Sequence, residues 1–416
     1  MIMQKEILNI RQSGPVTSSE RHIILDLLRG FALLGICLAN YPEFSLYTFQ
    51  KEPVMAAMPT AGIDRVVKYL QYILIDGKFY SLFSILFGIG FYIIFSRALQ
   101  KGGKGIGFFY RRMAVLTLIG FMHLMFLWSG DILLLYALIG MVLPLFRHVS
   151  DKKLLVTAVA LLFFPVVMDI LKVVTGGWFD LATPAIRATQ HFNAKVGITD
   201  DNFGVWLRDS KSYSEMFKFM IPGAFIRCQE FIEGNRVFKV LGLFLIGLYI
   251  GRRQMYANLE EHRILLTRIR RYGFLIGAPF SVIYAWSALN DNLTGIIGRA
   301  AFYFLSVVPM CLSYIATVCL WYIKNRERRI FRWLASTGRM ALTNYITQSA
   351  IGALVFYGIG FGLGASMGLV YVEWVALGVF LFQTVCSCLW MNYFQFGPLE
   401  WVWRMLTYGK FLKMTK

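Results

Sequence analysis

Apolar stretches as long as a bilayer is thick recur along nearly all of this 416-residue chain, and they leave it few ways to fold. Hydrocarbon offers no water to satisfy a backbone N–H or C=O, so only helices and closed barrels cross it. A crossing helix takes about 20 mostly apolar residues, because each adds 1.5 Å of rise against a core roughly 30 Å thick. Barrel strands would alternate apolar and polar residues, whereas these runs are continuous. The chain is therefore read as an all-α integral membrane protein, and 57% hydrophobic with 16% charged content excludes a soluble enzyme.

About ten transmembrane helices are predicted, at roughly 24–43, 69–96, 108–127, 131–147, 154–175, 236–252, 271–289, 296–323, 338–359 and 370–394. A net charge of +19 invites a nucleic-acid reading, but its distribution argues for none. The basic residues gather at the ends of apolar runs, as in Arg97/Lys101/Lys104/Arg111/Arg112 and Lys324/Arg326/Arg328/Arg329/Arg332. Short loops rich in Lys and Arg mark the cytoplasmic side. The connections at 128–130, 290–295 and 361–371 carry neither and are placed outside. Both termini then lie in the cytoplasm, with the lipid bilayer, its anionic inner leaflet above all, as partner. Residues 1–22 form a cytoplasmic segment, 24–175 and 236–416 two five-helix halves of one membrane domain, and 176–235 a long outer loop. In that loop 213–232 is interrupted by Lys218, Arg227, Glu230 and Glu233, so it is read as interfacial or re-entrant. The six cysteines show no metal-ligand spacing and read as small buried hydrophobes; no metal is expected.

Ionisable groups at membrane depth cost several kcal/mol, roughly 2.5–3.5 on insertion scales, and so mark candidate sites. In LDLLRGFALLGICLAN, Asp26 and Arg29 are spaced to pair on one helix face. Asn40 follows Arg29 by eleven residues and returns to nearly that face. The competing reading of Asp26–Arg29 is a headgroup anchor. Lys78, with Asp76 and Tyr80 near it, either snorkels outward or joins a polar core. In RRMAVLTLIGFMH, Arg112, Leu116, Ile119 and His123 share a face, and a Ser-Gly-Asp turn then delivers Asp131. That turn is short enough for Asp131 to reach His123 and hold the tautomer a general base needs. A structural His–Asp contact is the plainer alternative. In GRMALTNYITQS, Arg339 opens a span and Asn344 aligns with Gln348, an arrangement that also serves helix-to-helix bonding. Glu400 and Arg404, flanked by Trp401 and Trp403, read as an interfacial anchor.

These segments, with GKFYSLFSILFGIG, GDILLLYALIG and GPLEWVWR, resemble in order the YeiB family of bacterial membrane proteins, whose C-terminal half is a domain of unknown function, number 418. More distantly they resemble the transmembrane acyltransferases, heparan-α-glucosaminide N-acetyltransferase and the O-acyltransferases of bacterial surface glycans among them. The shared element is D-x-x-R-G, here Asp26 to Gly30. Where the O-acyltransferase pattern has a histidine eleven residues after the arginine, this chain has Asn40.

The resemblance implies a bacterial inner-membrane acyltransferase carrying an acyl group from cytoplasmic acyl-CoA, acetyl-CoA being the expected co-substrate, to an extracytoplasmic glycan or lipid acceptor. No permanently bound cofactor is expected. In that scheme His123 is the base and Asp131 its support. Asn40 or Asn344 contacts the thioester oxygen, while Arg29, Lys78 and Arg112 bind the donor phosphates. Asp26, Arg339 and Gln348 complete the donor site. A proton-coupled transporter using the same polar groups, and a non-enzymatic envelope scaffold, are the rival readings. Oligomeric state is left open.

Overall fold

The computed structural model describes residues 22–100, 105–177, 180–290 and 294–416. The segment 1–21, Lys101, Lys104 and Trp178 lie outside the described residues. Among those described there are helices and no strands, apart from one isolated bridge between Phe394 and Thr415. The principal helices are α1 (Ile23–Phe44), α2 (Ala61–Leu70, continued by a π turn over Gln71–Ile75), α3 (Lys78–Gln100), α4 (Gly105–Phe126) and α5 (Leu133–Gly140). They continue with α6 (Asp151–Val174), α7 (Thr183–Val196), α8 (Tyr213–Glu233), α9 (Arg236–Arg252) and α10 (Arg263–Leu289). The last are α11 (Gly295–Lys324), α12 (Arg329–Arg339), α13 (Ala341–Phe356), α14 (Leu369–Tyr393) and α15 (Pro398–Tyr408).

Among the described residues, seven helices are long and apolar enough to cross a membrane: α1, α2 running into α3, α4, α6, α10, α11 and α14. Three predicted spans are shorter, each for a local reason. The run 131–147 stops as a helix at Gly140 and tightens to a 3-10 turn over Leu143–Phe146, with Pro144 in its first turn. The run 236–252 is 17 residues of helix ending at Arg252 and Arg253. The run 338–359 is broken at Met340, which separates α12 from α13. The expected outer loop 176–235 is itself largely helical. Its segment 213–232 is one unbroken helix, α8, rather than a re-entrant fold, capped by the Ser212 hydroxyl accepting from the Glu215 N–H at 3.2 Å. It packs on α7, α4 and α9.

α1 sits at the centre, packed on α3, α12, α13 and α14. Two crossings bring backbone against backbone. A Cβ on Gly338 of α12 would strike the Asp26 carbonyl of α1, and one on Gly30 would strike the Leu334 carbonyl. Between α3 and α9, Gly88 and Gly247 do the same against Phe244 and Ile85. Such close approach is how membrane helices gain van der Waals contact when lipid and side chain are equally apolar.

Candidate functional site

Between these helices lies a cavity of about 1730 Å³, larger than the ~300–1,000 Å³ of ordinary ligand pockets. Its wall includes both Asp26 and Glu43 of α1. Seventeen residues of helix separate them, so the cavity runs about 26 Å along α1, most of a bilayer's hydrocarbon.

One end is cationic. Arg29, Arg97, Arg112, Arg339 and Arg404 line it, from α1, α3, α4, α12 and α15. The acids beside them are engaged. Asp26 Oδ1 accepts from Arg29 Nη1 at 2.8 Å. Glu400 accepts from the backbone N–H of Leu342 at 2.6 Å and Thr343 at 3.1 Å, and from the Thr343 hydroxyl at 2.6 Å. The carboxylate therefore caps α13, where helix N–H groups lack intrahelical partners. Arg112 lies 3.7 Å over the Trp403 ring, whose Nε1–H donates to the Arg112 carbonyl at 3.0 Å. Among the described residues the Arg112 Nε has no hydrogen-bond partner. The predicted interfacial anchor is thus a tie between α15 and α4.

The middle is apolar, lined by Leu33, Ile36, Phe83, Phe87, Leu116 and Leu133. At the far end the wall is polar again, with charges of both signs. Asn40 and Glu43 come from α1, Arg227 and Glu230 from α8, Arg236 and Lys239 from α9. Arg227 Nη1 donates to Glu230 Oε2 at 2.5 Å, and Lys239 Nζ sits 4.0 Å from the Tyr303 ring centre. Asp76 accepts from the Tyr284 hydroxyl at 2.8 Å.

Behind the far wall is a buried chain of three side chains. His123 Nδ1 and Asp131 Oδ1 are 2.8 Å apart, and His123 Nε2 lies 2.9 Å from the Ser349 hydroxyl. An ionised carboxylate only accepts, so the proton sits on Nδ1. In the neutral ring Nε2 is then the acceptor for the Ser349 O–H. The second oxygen of Asp131 accepts from the Leu134 N–H at 2.7 Å, starting α5. Arg227 holds the turn from the cavity side: its Nε donates to the Asp131 carbonyl at 2.9 Å, and its Nη2 to the Gly130 carbonyl. Tyr345, on the cavity wall, has its ring centre 5.1 Å from that of His123.

Of the residues singled out in the sequence, Asp26, Arg29, Asn40, Arg112 and Arg339 line the cavity. His123 and Asp131 meet each other but are 3% and 1% exposed and do not line it. The same holds for Lys78, whose ammonium donates to the Tyr72 carbonyl at 2.6 Å in a fully buried site. Asn344 and Gln348 face α14 instead. Asn344 Nδ2 donates to Ser387 at 2.9 Å, and Gln348 Nε2 to Gln383 at 3.0 Å. Lys78, Asn344 and Gln348, expected at the donor site, thus do not line the cavity: Asn344 and Gln348 bond α14, and Lys78 bonds the π turn just before its own helix. Sequence reasoning passed over Glu43 and Arg236, and took Arg227 and Glu230 as interruptions of 213–232. The available signal was the cost of charge inside apolar segments. Ser349 carried none, because 226 residues separate it from His123.

Among the described residues no group of three or more His, Cys, Asp or Glu is placed to hold a metal ion. Residues 250–410 match the model of a family described as Protein of unknown function (DUF418). The chain is 30% identical over 403 residues to Uncharacterized protein YxaH of Bacillus subtilis (strain 168), covering 95% of this chain and 96% of that one. It is 28% identical over 410 residues to Uncharacterized protein YeiB of Escherichia coli (strain K12), covering 93% and 96%. No solved structure matches.

Proposed function

The chain belongs to the DUF418 family, and we propose that it is a membrane acyltransferase, taking an acyl group from cytoplasmic acyl-CoA to an extracytoplasmic glycan or lipid acceptor. The observation that carries the reading is the order of surfaces along the cavity: cationic, apolar, then mixed polar. An acyl-CoA has the complementary order of phosphates, a long uncharged arm, and a reactive thioester at its tip. Arg29, Arg112, Arg339 and Arg404 take the phosphates, guanidinium being suited to bidentate contact with them. The arm lies along Leu33, Ile36 and Phe83. The thioester reaches Asn40, about 16 Å up α1 from Arg29, where the amide N–H donates to the oxygen that gains charge in the transition state. The acceptor enters from the Arg236 and Glu230 side. His123, with both ring nitrogens bonded and no face on the cavity, acts as a positioning residue that fixes the far wall through Asp131 and Ser349.

This reading puts the arginine-rich end in the cytoplasm, as the Lys and Arg distribution along the chain favours. Both termini then lie inside. It places the protein in the bacterial inner membrane, with the runs 131–147, 236–252 and 338–359 crossing beside the seven longer helices to make about ten. Purified protein in nanodiscs, given labelled acetyl-CoA and an envelope extract, should transfer label to an extract component. Arg112→Ala should raise the KM for acetyl-CoA about tenfold or more, the loss of one charge-assisted contact of ~1.5–3 kcal/mol. No transfer by the wild type sinks the reading. The acids along the cavity favour one rival, a proton-coupled transporter, which predicts gradient-driven flux in proteoliposomes without acyl turnover.

A further inference from the structure

If acyl transfer is the reaction, something must take the proton from the acceptor, and the cavity restricts the choice. His123 is excluded by position: Nδ1 is bonded to Asp131, Nε2 to Ser349, and the ring does not line the cavity. Most acids on the wall are also committed. Asp26 is held by Arg29, Glu400 by the start of α13, Asp76 by Tyr284, Glu230 by Arg227, Asp180 by Lys172 and Glu233 by Gln229. Asp169 has no hydrogen bond of this kind, but its charged neighbours are three cations, Lys239, Lys172 and Arg299. It stands on α6 rather than on the α1 face that carries Asn40.

Glu43 differs on each count. It lines the cavity, and among the described residues its carboxylate meets charges but no hydrogen-bond donor. Those charges are Arg227 and Arg236, offset by Glu230. It also stands three residues beyond Asn40, on the same face of α1. One helix thus offers a donor for the thioester oxygen and, a turn further out, a carboxylate on the side from which the acceptor comes.

We infer that Glu43 is the general base of this site, acting on an acceptor hydroxyl or amine. The inference rests on the acyltransferase reading. For a hydroxyl acceptor, the Glu43 carboxylate takes the O–H proton as the oxygen attacks the thioester carbon. The new C–O bond forms, the C–S bond breaks, and the thiolate leaves with its electron pair. It then collects the proton from the Glu43 carboxylic acid, leaving an ester and free CoA thiol. Glu43 returns to its starting state, and no other reactant is required.

The test uses the full chain in nanodiscs with labelled acetyl-CoA and envelope extract, comparing wild type, Glu43→Gln and Glu43→Asp. Loss of a general base typically costs about 10²–10⁴ in rate. Glu43→Gln should therefore lower kcat about a hundredfold or more while the KM for acetyl-CoA stays within about twofold. Glu43→Asp, whose carboxylate is pulled back by one methylene, should fall between the two, roughly tenfold below wild type. Turnover by Glu43→Gln at the wild-type kcat overturns the assignment and leaves the acyltransferase reading standing. Absence of turnover by wild type removes both. If Glu43→Gln does not fold, judged by a monodisperse elution peak, Glu43→Asp decides: an unchanged kcat overturns the assignment, a reduced kcat with unchanged KM supports it.

Discussion

The His123–Asp131 contact offers a measurable energy, because every polar atom in it has a named partner. In Asp131→Ala the His123 Nδ1–H, at 2.8 Å, and the Leu134 N–H, at 2.7 Å, both lose their acceptor. Both lie in a site where the two side chains are 1% and 0% exposed. Each buried donor left unpaired costs ~1–3 kcal/mol, which puts the variant about 4 kcal/mol below wild type. Asparagine at 131 keeps a carbonyl oxygen for one of the two donors and should lose about half as much. His123→Ala removes the ring and lets the Ser349 hydroxyl turn fully to the Tyr345 carbonyl, 3.5 Å away. The pair's own contribution comes from the double-mutant cycle, measured by unfolding in mixed detergent–SDS micelles. Interhelical hydrogen bonds in membranes average only about 0.6 kcal/mol by that method, while bonds to a charged group reach ~1.5–3. A coupling energy above about 1.5 kcal/mol is expected here. A value below about 0.5 would mean that the carboxylate is hydrated or protonated, and the account of the far wall would fail.

Arg227→Lys keeps the charge but cannot hold the Gly130 and Asp131 carbonyls together with Glu230; it should lose ~2 kcal/mol in the same unfolding assay and shift the emission of Trp128, which faces the guanidinium. Gly338→Ala drives a methyl into the Asp26 carbonyl, and since overpacking costs ~1–3 kcal/mol even where side chains can yield, its yield of monodisperse protein should fall sharply. Glu400→Gln, which leaves an amide where a carboxylate met three donors, should cost ~1–2 kcal/mol; a neutral result would show that α13 needs no cap.

Much of this organisation is legible in the chain itself, for physical reasons. Long apolar runs can only be helices, and among the described residues seven are long and apolar enough to cross a membrane. The Asp26–Arg29 pair follows from a three-residue spacing, and the turn at 129–131 is too short to carry Asp131 away from His123. Periodicity also put Asn40 on the face of Arg29, and both line the cavity. What periodicity does not carry is direction in space. Asn344 and Gln348 share a face as their spacing requires, yet that face meets Gln383 and Ser387 of α14. Lys78 bonds a carbonyl freed near a π turn that no residue pattern announces. Charges in 213–232 read in the sequence only as obstacles to crossing, and their use as cavity lining depends on α8 lying against α9 and α4.

The glycine crossing of α1 and α12 bears on how the molecule is divided. The family match begins at residue 250, while the cavity is walled by α1, α3 and α4 on one side and by α12 and α15 on the other. The matched region alone is therefore half a vessel. Its seam with the remainder is carbonyl against Cα, at Gly30 and Gly338, with no side chain between. Two fragments made separately would have nothing adjustable to negotiate along that seam: they would either lock in one register or fail to join.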